Sequence, residues 1–533
     1  MKRLFPLRPL WRGSHLICCL AVSARAEVTD WPKAIDALHA SLPGFFGIQT
    51  LPTKPLAVKR AIAEWEPLEA LAVCLPIKES MDHPRILAYY SNLIGVASGY
   101  VDVVVLHRPQ DERYVDLFSE RLRKMEGVPA QLERVRFLQV QTGDFWARDF
   151  GPLFALGEDG RLLLLDNSDR PLMEEREAWQ KVAMNAEGTD PEEDERDFES
   201  LSAWNRRREV TPMYVAKFVR QRYGVDCEVV RPPLHLQGGD YLTDGSGAVF
   251  VSEDTVLGND GRLTYLRSVF RDYYGADRVH TLNALPGITV KHLDQLVKLV
   301  APDTFLVAEP LEFSGQASSA HLRRLSQEVG EVLAANEAYL RKHFPAAKIV
   351  RLPMLPPVPE DAPNVTHRFR SQVFARVCEE LGVSYLRYVK LSEGDSQKEL
   401  VEKKVLEYLV NRFQRSIDFY DDEDLSFLTE TYLGADLQVL LETNVDSSSA
   451  YRTYLNSVYL RTKDGREAWL LPRYLPQRGE TEEAISDIER RVEAVYRSLF
   501  PESRIHWIEA DVMSEMLGAI HCTTFTIPAL PAE

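Results

Sequence analysis

Cysteine is scarce, with six in 533 residues, and two of these, Cys18 and Cys19, fall within the first 26. The other four, Cys74, Cys227, Cys378 and Cys522, stand alone, with no CxxC pair and no spaced histidine set beside them. That pattern excludes a disulfide framework and argues against structural zinc. Long apolar runs are missing too, since no segment reaches the ~18 uninterrupted apolar residues of a membrane span. Basic residues are outnumbered, 63 Lys and Arg against 80 Asp and Glu, for a net charge of -17. Such a field repels phosphate backbones, which argues against nucleic acid as a partner and suits a cationic ligand. At 28 Gly and 31 Pro the chain is neither collagen-like nor low-complexity, and 45% hydrophobic content is that of a folded protein with a sizeable core.

The amino end is of a different kind. Lys2, Arg3, Arg8 and Arg12 precede an apolar stretch from Leu16 to Ala24, and Ala24-Arg25-Ala26 is a small-x-small site. Residues 1–26 are therefore expected to be a secretory signal, with the mature protein secreted or periplasmic. A lipid anchor on Cys18 or Cys19 fits less well, because Ile17 and Cys18 occupy positions where a small residue is expected.

Downstream, one unit recurs: a two-stranded hairpin, an amphipathic helix, then a strand. Asp159-Gly160 separates GPLFAL from RLLLLD, Asp244-Gly245 separates GGDYLT from GAVFVS, and Asp464-Gly465 separates NSVYLRT from AWLLPRY. Each pair tolerates the positive φ of a tight turn. Helices are expected at about Pro212 to Tyr223, Arg262 to Tyr274 and Glu482 to Phe500, followed by the strands CEVVR, RVHTL and RIHWIEA. Two further units lack the Asp-Gly turn. EALAVCLP, a helix from Pro84 to Val96 and VDVVVLH form the first; HLDQLVKLV, TFLVAE, a helix from His321 to His343 and KIVRLP form the fourth. Five such units predict a closed, pseudo-symmetric α/β arrangement over residues 60–530 rather than five independent domains. Residues 190–199, with seven acids, read as a solvated loop, and residues 360–450, charge-rich and helix-patterned, as a helical insertion.

Four segments could carry chemistry: FWARDFGP from Phe145, LQGGDYLTDG from Leu236, KHLDQL from Lys291 and GAIHCTTFTIP from Gly518. Taken as strand residues, His292 and Asp294 would project from one face, placing a base and a carboxylate in one site. Asp149 lies just before a Gly-Pro turn that could aim it inward. Gly238-Gly239 permits a close backbone approach beside Gln237 and Asp240. Singly each has a plainer reading: an Arg148-Asp149 ion pair, a satisfied histidine, a bulge, a buried core thiol.

Together, and in this order, these motifs resemble those of the agmatine deiminase and bacterial peptidylarginine deiminase family, within the guanidino-modifying pentein superfamily. The resemblance runs from about Glu64 to Pro528, outside the insertion; EWEPLEALAVCLP is similar to that family's opening strand, and RTYLNSVYL with LLPRY to its fifth unit. It implies a five-fold pseudo-symmetric pentein, an α/β propeller. It also implies Cys522 as nucleophile, His292 as general acid and base, and Asp149 and Asp294 as the carboxylates that hold a guanidinium. Trp146, Gln237, Asp240 and Arg170 are the corresponding substrate contacts. A guanidinium is planar and always charged, with forked N–H donors that two carboxylates can hold bidentately. A thiolate can attack its central carbon, with loss of ammonia to a covalent amidino thioether and hydrolysis to a ureido product. No metal or organic cofactor is needed.

One departure stands out. The family usually has Glu or Asp before the Gly-Gly pair, bracing the histidine, and here Gln237 takes that place. A neutral amide orients an imidazole without stabilising its charged form. Two alternatives to a deiminase therefore remain: a catalytically weakened guanidinium-binding pentein, and an amidinotransferase in which an amine replaces water.

Overall fold

The computed structural model describes residues 53–75, 83–109, 112–124, 132–140, 145–167, 210–259, 261–285, 291–310, 320–355, 358–359, 377, 381–383, 394–412, 449–476 and 480–530. Residues 1–26, the acidic stretch 190–199, Arg170 and most of the 360–450 segment lie outside them; within that segment the helix Ser396–Arg412 is described.

In chain order the strands of the first two units are β1 (Val58–Ala61), β2 (Leu68–Cys74), β3 (Asp102–His107), β4 (Val135–Gln139), β5 (Leu153–Gly157), β6 (Leu162–Leu165) and β7 (Cys227–Val230). Helices α1 (Pro84–Ala97) and α2 (Glu112–Lys124) flank β3; the short α3 (Ala147–Phe150) precedes β5, and α4 (Thr211–Tyr223) precedes β7. The third unit comprises β8 (Leu242–Thr243), β9 (Ala248–Ser252), α5 (Glu253–Gly258), α6 (Leu263–Tyr274) and β10 (Arg278–Leu282). The fourth comprises β11 (Val297–Ala301), β12 (Thr304–Pro310), α7 (Ala320–His343) and β13 (Lys348–Met354). A two-residue pair, β14 (Val358–Pro359) and β15 (Ser449–Ala450), brackets the helix α8 (Ser396–Arg412). The fifth comprises β16 (Val458–Arg461), β17 (Glu467–Arg473), α9 (Glu482–Leu499), β18 (Arg504–Glu509) and α10 (Asp511–Ser514), and β19 (Thr524–Pro528) ends the chain.

Five sheets share one plan, an antiparallel pair whose second strand accepts a parallel strand after a helical crossover. The pairs and their parallel partners are β5-β6 with β7, β8-β9 with β10, β11-β12 with β13, β16-β17 with β18, and β19-β2 with β3. The three Asp-Gly turns sit where the sequence puts them, with Gly160, Gly245 and Gly465 at φ of 81°, 69° and 82°. The first unit has its hairpin after all. Its partner is β19, some 450 residues along the chain, so no local turn could announce it, and Thr524 pairs with Val73 to bring the chain's last strand onto its second.

Local signals explain the helix boundaries. Thr481 caps α9 by accepting from the Ala484 N–H, a contact worth ~1 kcal/mol, and Glu482 and Glu483 complement the first turn. α4 opens with proline in its first turn and stops at Gly224, whose φ of 66° an L-residue adopts with strain. Between β17 and α9, Trp469 is fully buried, stacked on Tyr459 and tilted against Tyr496, so aromatic area packs the helix onto the sheet. Cys74 and Cys227 are buried core thiols. No described helix is long and apolar enough to cross a membrane.

One local expectation fails. His292 and Asp294 do not lie in a strand: Leu293–Gln295 forms a 3₁₀ turn with His292 as its N-cap residue, and β11 begins only at Val297. The two side chains therefore do not share a pleat face and go to different partners.

Candidate active site

Each of the five hairpin strands is entered through a short turn, and the chemistry-bearing residues sit in these turns. Asp149 lies in α3 before β5, Gln237 heads the 3₁₀ turn Gly238–Asp240 before β8, and His292 heads the turn before β11. Asn456 lies before β16 and Cys522 before β19. The glycine pair lets these turns meet. A Cβ on Gly238 would stand 2.2 Å from the Arg148 carbonyl oxygen, and one on Gly239 2.4 Å from His292 Nδ1. Any side chain at either position would push α3 or the imidazole out of place.

His292 is 4% exposed, and its Nε2 lies 2.5 Å from Oε1 of Gln237. An amide oxygen only accepts, so the contact keeps a proton on Nε2 and leaves Nδ1 as the nitrogen that can take or give one. Nδ1 faces Asp149 Oδ1 at 3.7 Å. Burial would lower the pKa of His292, but the charges of Asp149, Asp294 and Asp240 outweigh it and raise the pKa above its ordinary value.

Cys522 is also buried. Its Sγ lies 3.4 Å from Asp294 Oδ2 and 3.0 Å from Nδ2 of Asn456. Asn456 Oδ1 accepts from the backbone N–H of His521 at 2.9 Å and of Cys522 at 3.3 Å. Those two donors require the oxygen on that side, so the NH₂ end must face the sulfur. Burial, then the carboxylates of Asp294 and Asp149, push the thiol pKa well up, so without a bound cation the group is a thiol.

Asp294 is the joint between the two halves of the site. Its Oδ2 accepts from His521 Nδ1 at 2.7 Å, while its Oδ1 is buried without a hydrogen-bond partner. Burial alone would raise its pKa; the His521 hydrogen bond and charge, with His292 and Lys298, bring it below the ordinary value, so it is ionised. A buried carboxylate oxygen with no donor is the acceptor a cationic N–H group would fill.

Behind this layer lies Glu64. It accepts from His521 Nε2 at 2.8 Å, pairs with Arg148 Nη1, and stands 3.7 Å from Lys298 Nζ. The plainer reading of Arg148 is thus half right: it forms an ion pair, but with Glu64 rather than with Asp149.

Among the expected substrate contacts, Trp146 stands beside the loop that carries Cys522. Ring atoms of Trp146 lie 2.3 and 2.6 Å from where a Cβ on Gly518 would be, and Cys522 Cβ lies 3.1 Å from the same point. Gln237 faces the catalytic candidate His292. Asp240 is engaged within the fold: its oxygens accept from Ser252 N, Ser252 Oγ and Thr255 Oγ1, tying the Gly-Gly turn to the start of α5. Burial pushes its pKa up to about 7, against those hydrogen bonds and the charge of His292. Its place beside Gly239 suggested a ligand contact; the Ser and Thr donors twelve and fifteen residues on were invisible to spacing. Arg170 lies outside the described residues. Asn456, Glu64 and His521 are the site residues that sequence reasoning gave no role, although each stands in or beside a segment it singled out. Among the described residues no group of three or more His, Cys, Asp and Glu is disposed to hold a metal ion.

A family model for Porphyromonas-type peptidyl-arginine deiminases matches residues 60–393. Among solved structures, the agmatine deiminase of C. jejuni is similar at 16% identity and a TM-score of 0.51, covering 88% of this chain and 96% of its own. A serine-for-cysteine variant of the C. jejuni enzyme with substrate bound is similar at 15% identity and the same TM-score, again over 88% and 96%. At such identities the structural likeness speaks for the fold, mixed α/β, and the family match carries the assignment. The chain belongs to the Porphyromonas-type peptidyl-arginine deiminase family, whose members are hydrolases acting on C–N bonds.

Proposed function

We propose that this protein hydrolyses the C–N bond of a guanidino group, releasing ammonia and a ureido product through a covalent adduct on Cys522. The observation that carries the reading is the arrangement around the sulfur: a thiol 3.4 Å from an ionised carboxylate whose second oxygen has no donor, with the protonatable edge of His292 turned toward Asp149. The five-sheet plan, joined end to start by β19 on β2, supports closure into a five-fold pentein around these turns.

In this reading a guanidinium enters with its N–H forks on Asp294 Oδ1 and Asp149. Its positive charge offsets the two carboxylates that hold the thiol pKa up, so substrate binding itself favours the thiolate. The sulfur adds to the central carbon, and His292 delivers a proton from Nδ1 to the departing nitrogen, which leaves as ammonia. An S-linked amidino thioether remains. His292, now neutral, takes a proton from water at Nδ1; hydroxide adds to the same carbon, and the carbon–sulfur bond breaks to return the thiolate. Gln237 keeps the reactive nitrogen constant through the cycle.

Peptidyl-arginine and agmatine both carry the required cation, and the net charge of -17 favours capture of either. The basic and apolar stretch ending at Ala26 supports an exported protein, which slightly favours the peptide. The deciding experiment incubates the protein with agmatine, free arginine and an arginine-terminated peptide and measures ureido product. Product from at least one substrate is expected. Binding without product would favour the weakened-pentein reading, and amidino transfer to an added amine would favour the transferase.

A further inference from the structure

We propose that Glu64 is a positioning residue that sets both guanidinium-binding carboxylates from behind the site; the proposal rests on the deiminase reading. Glu64 follows β1 and touches no group that reacts. Its two oxygens reach side chains from two of the site-bearing turns, His521 and Arg148, and Lys298 of β11. Through His521, whose Nε2 it accepts at 2.8 Å and whose Nδ1 bonds Asp294 Oδ2 at 2.7 Å, it fixes the imidazole plane and so the rotamer of Asp294. With Oδ2 held this way, Oδ1 is the oxygen left for the ligand. Through Arg148, 3% exposed and paired to it by Nη1, it fixes the residue next to Asp149. Arg148 also bonds Cys522 O from its backbone N–H at 3.1 Å, so the α3 turn and the nucleophile turn move as one.

The electrostatics favour a fixed anion at this point. His521 has a carboxylate at each ring nitrogen, and the buried Lys298 Nζ stands 3.7 Å from Glu64, its ion partner among the described residues. Burial would raise the pKa of Glu64, yet Arg148, His521 and Lys298 hold it well below the usual carboxylate range. Glutamine there could accept with one oxygen only and would turn an NH₂ group toward Arg148 or His521, losing one of the two links.

The test is a double-mutant cycle on ligand affinity, with agmatine and the arginine-terminated peptide as probes, in a Cys522→Ser background that stops turnover. Glu64→Gln is expected to weaken binding about tenfold. In a protein already carrying Asp294→Asn the loss should shrink to about threefold, because the arm through His521 is gone and only the arm through Arg148 to Asp149 remains. Thermal unfolding checks that each variant is folded. If Glu64→Gln does not fold, His521→Asn takes its place, with the same non-additivity expected. Unchanged affinity in the single variant, or losses that multiply in the double, would overturn the positioning role. Should Asp294→Asn itself bind both probes as the parent does, or the natural protein form no ureido product, the deiminase reading falls first and this inference with it.

Discussion

Asn456 and Cys522 are 66 residues apart in sequence, yet the amide of one holds the other at both ends: Nδ2 reaches the sulfur at 3.0 Å while Oδ1 takes the N–H of Cys522 at 3.3 Å. The sulfur thus has an N–H donor on one side and the Asp294 carboxylate at 3.4 Å on the other. A thiol can donate to the carboxylate; a thiolate can only accept, and the Asn456 amide and the Ala519 backbone N–H are donors it finds. Once a guanidinium occupies Asp294, the balance passes to the Asn456 side.

Asn456→Asp keeps the oxygen that the backbone needs and replaces the donor with a charge. The fold should survive, while the pKa of Cys522 rises further above its already raised value. Alkylation of Cys522 by iodoacetamide, followed by mass, should shift to higher pH, and turnover should fall by one to two orders of magnitude, on the order of 1.4 kcal/mol per tenfold. An unmoved alkylation profile would leave Asn456 a purely structural role.

Cys522→Ser should abolish turnover with little change in the unfolding temperature, because a hydroxyl of similar size is a far poorer nucleophile. The natural protein quenched during turnover should carry an added amidino-substrate mass on Cys522. Near-normal activity in the serine variant would move the nucleophile elsewhere.

Asp149→Asn and Asp294→Asn should each raise KM and slow turnover, since truncating one partner of a buried charge pair typically costs ~2–5 kcal/mol. Their pH effect has a defined sign. Both carboxylates raise the pKa of His292 and of Cys522. Removing either charge should lower both values, so both limbs of the pH–rate profile should move toward lower pH. A profile that stays fixed while KM rises would place the residue in the clamp but out of reach of the two titrating groups.

How much of this was legible in the chain depended on distance along it. The Asp-Gly hairpins, the helices at 211–223, 263–274 and 482–499 and their following strands follow from turn chemistry and period, which act over a few residues. The β19-β2 pair is as regular but joins the two ends of the domain, and no local signal reports it. Motif order led to the candidate site residues, which the fold brings together, yet the reason given for pairing His292 with Asp294 was not the operative one. A 3₁₀ turn rather than a strand carries them, and they remain electrostatic neighbours while reaching Gln237 and His521 respectively. Glu64 and Asn456 stayed hidden because a lone Glu or Asn has no spacing signature; only its partners 457, 84 and 66 residues away give it a role.

The last prediction concerns Gln237. Its Oε1 accepts from His292 Nε2 at 2.5 Å, which settles that the two side chains face each other. Replacing the amide by a carboxylate, Gln237→Glu, keeps the acceptor and adds a negative charge against the imidazole. His292 already has a raised pKa from Asp149, Asp294, Asp240 and Asp254, so a further carboxylate should raise it again. The limb of the pH–rate profile that reports His292 should therefore move to higher pH, and protonation of the leaving nitrogen should persist further into the alkaline range. The effect on rate separates two states of the natural protein. If the neutral brace has weakened it, the rate near neutral pH should rise in the variant. If the four existing carboxylates already supply the charge that a Glu brace would bring, the rate should stay level or fall, because the new charge competes for the bound cation. Measured on the best of the three guanidines, an unshifted profile in an active Gln237→Glu protein would mean that His292 is not the group whose titration limits turnover, and the general acid would have to be sought elsewhere in the site.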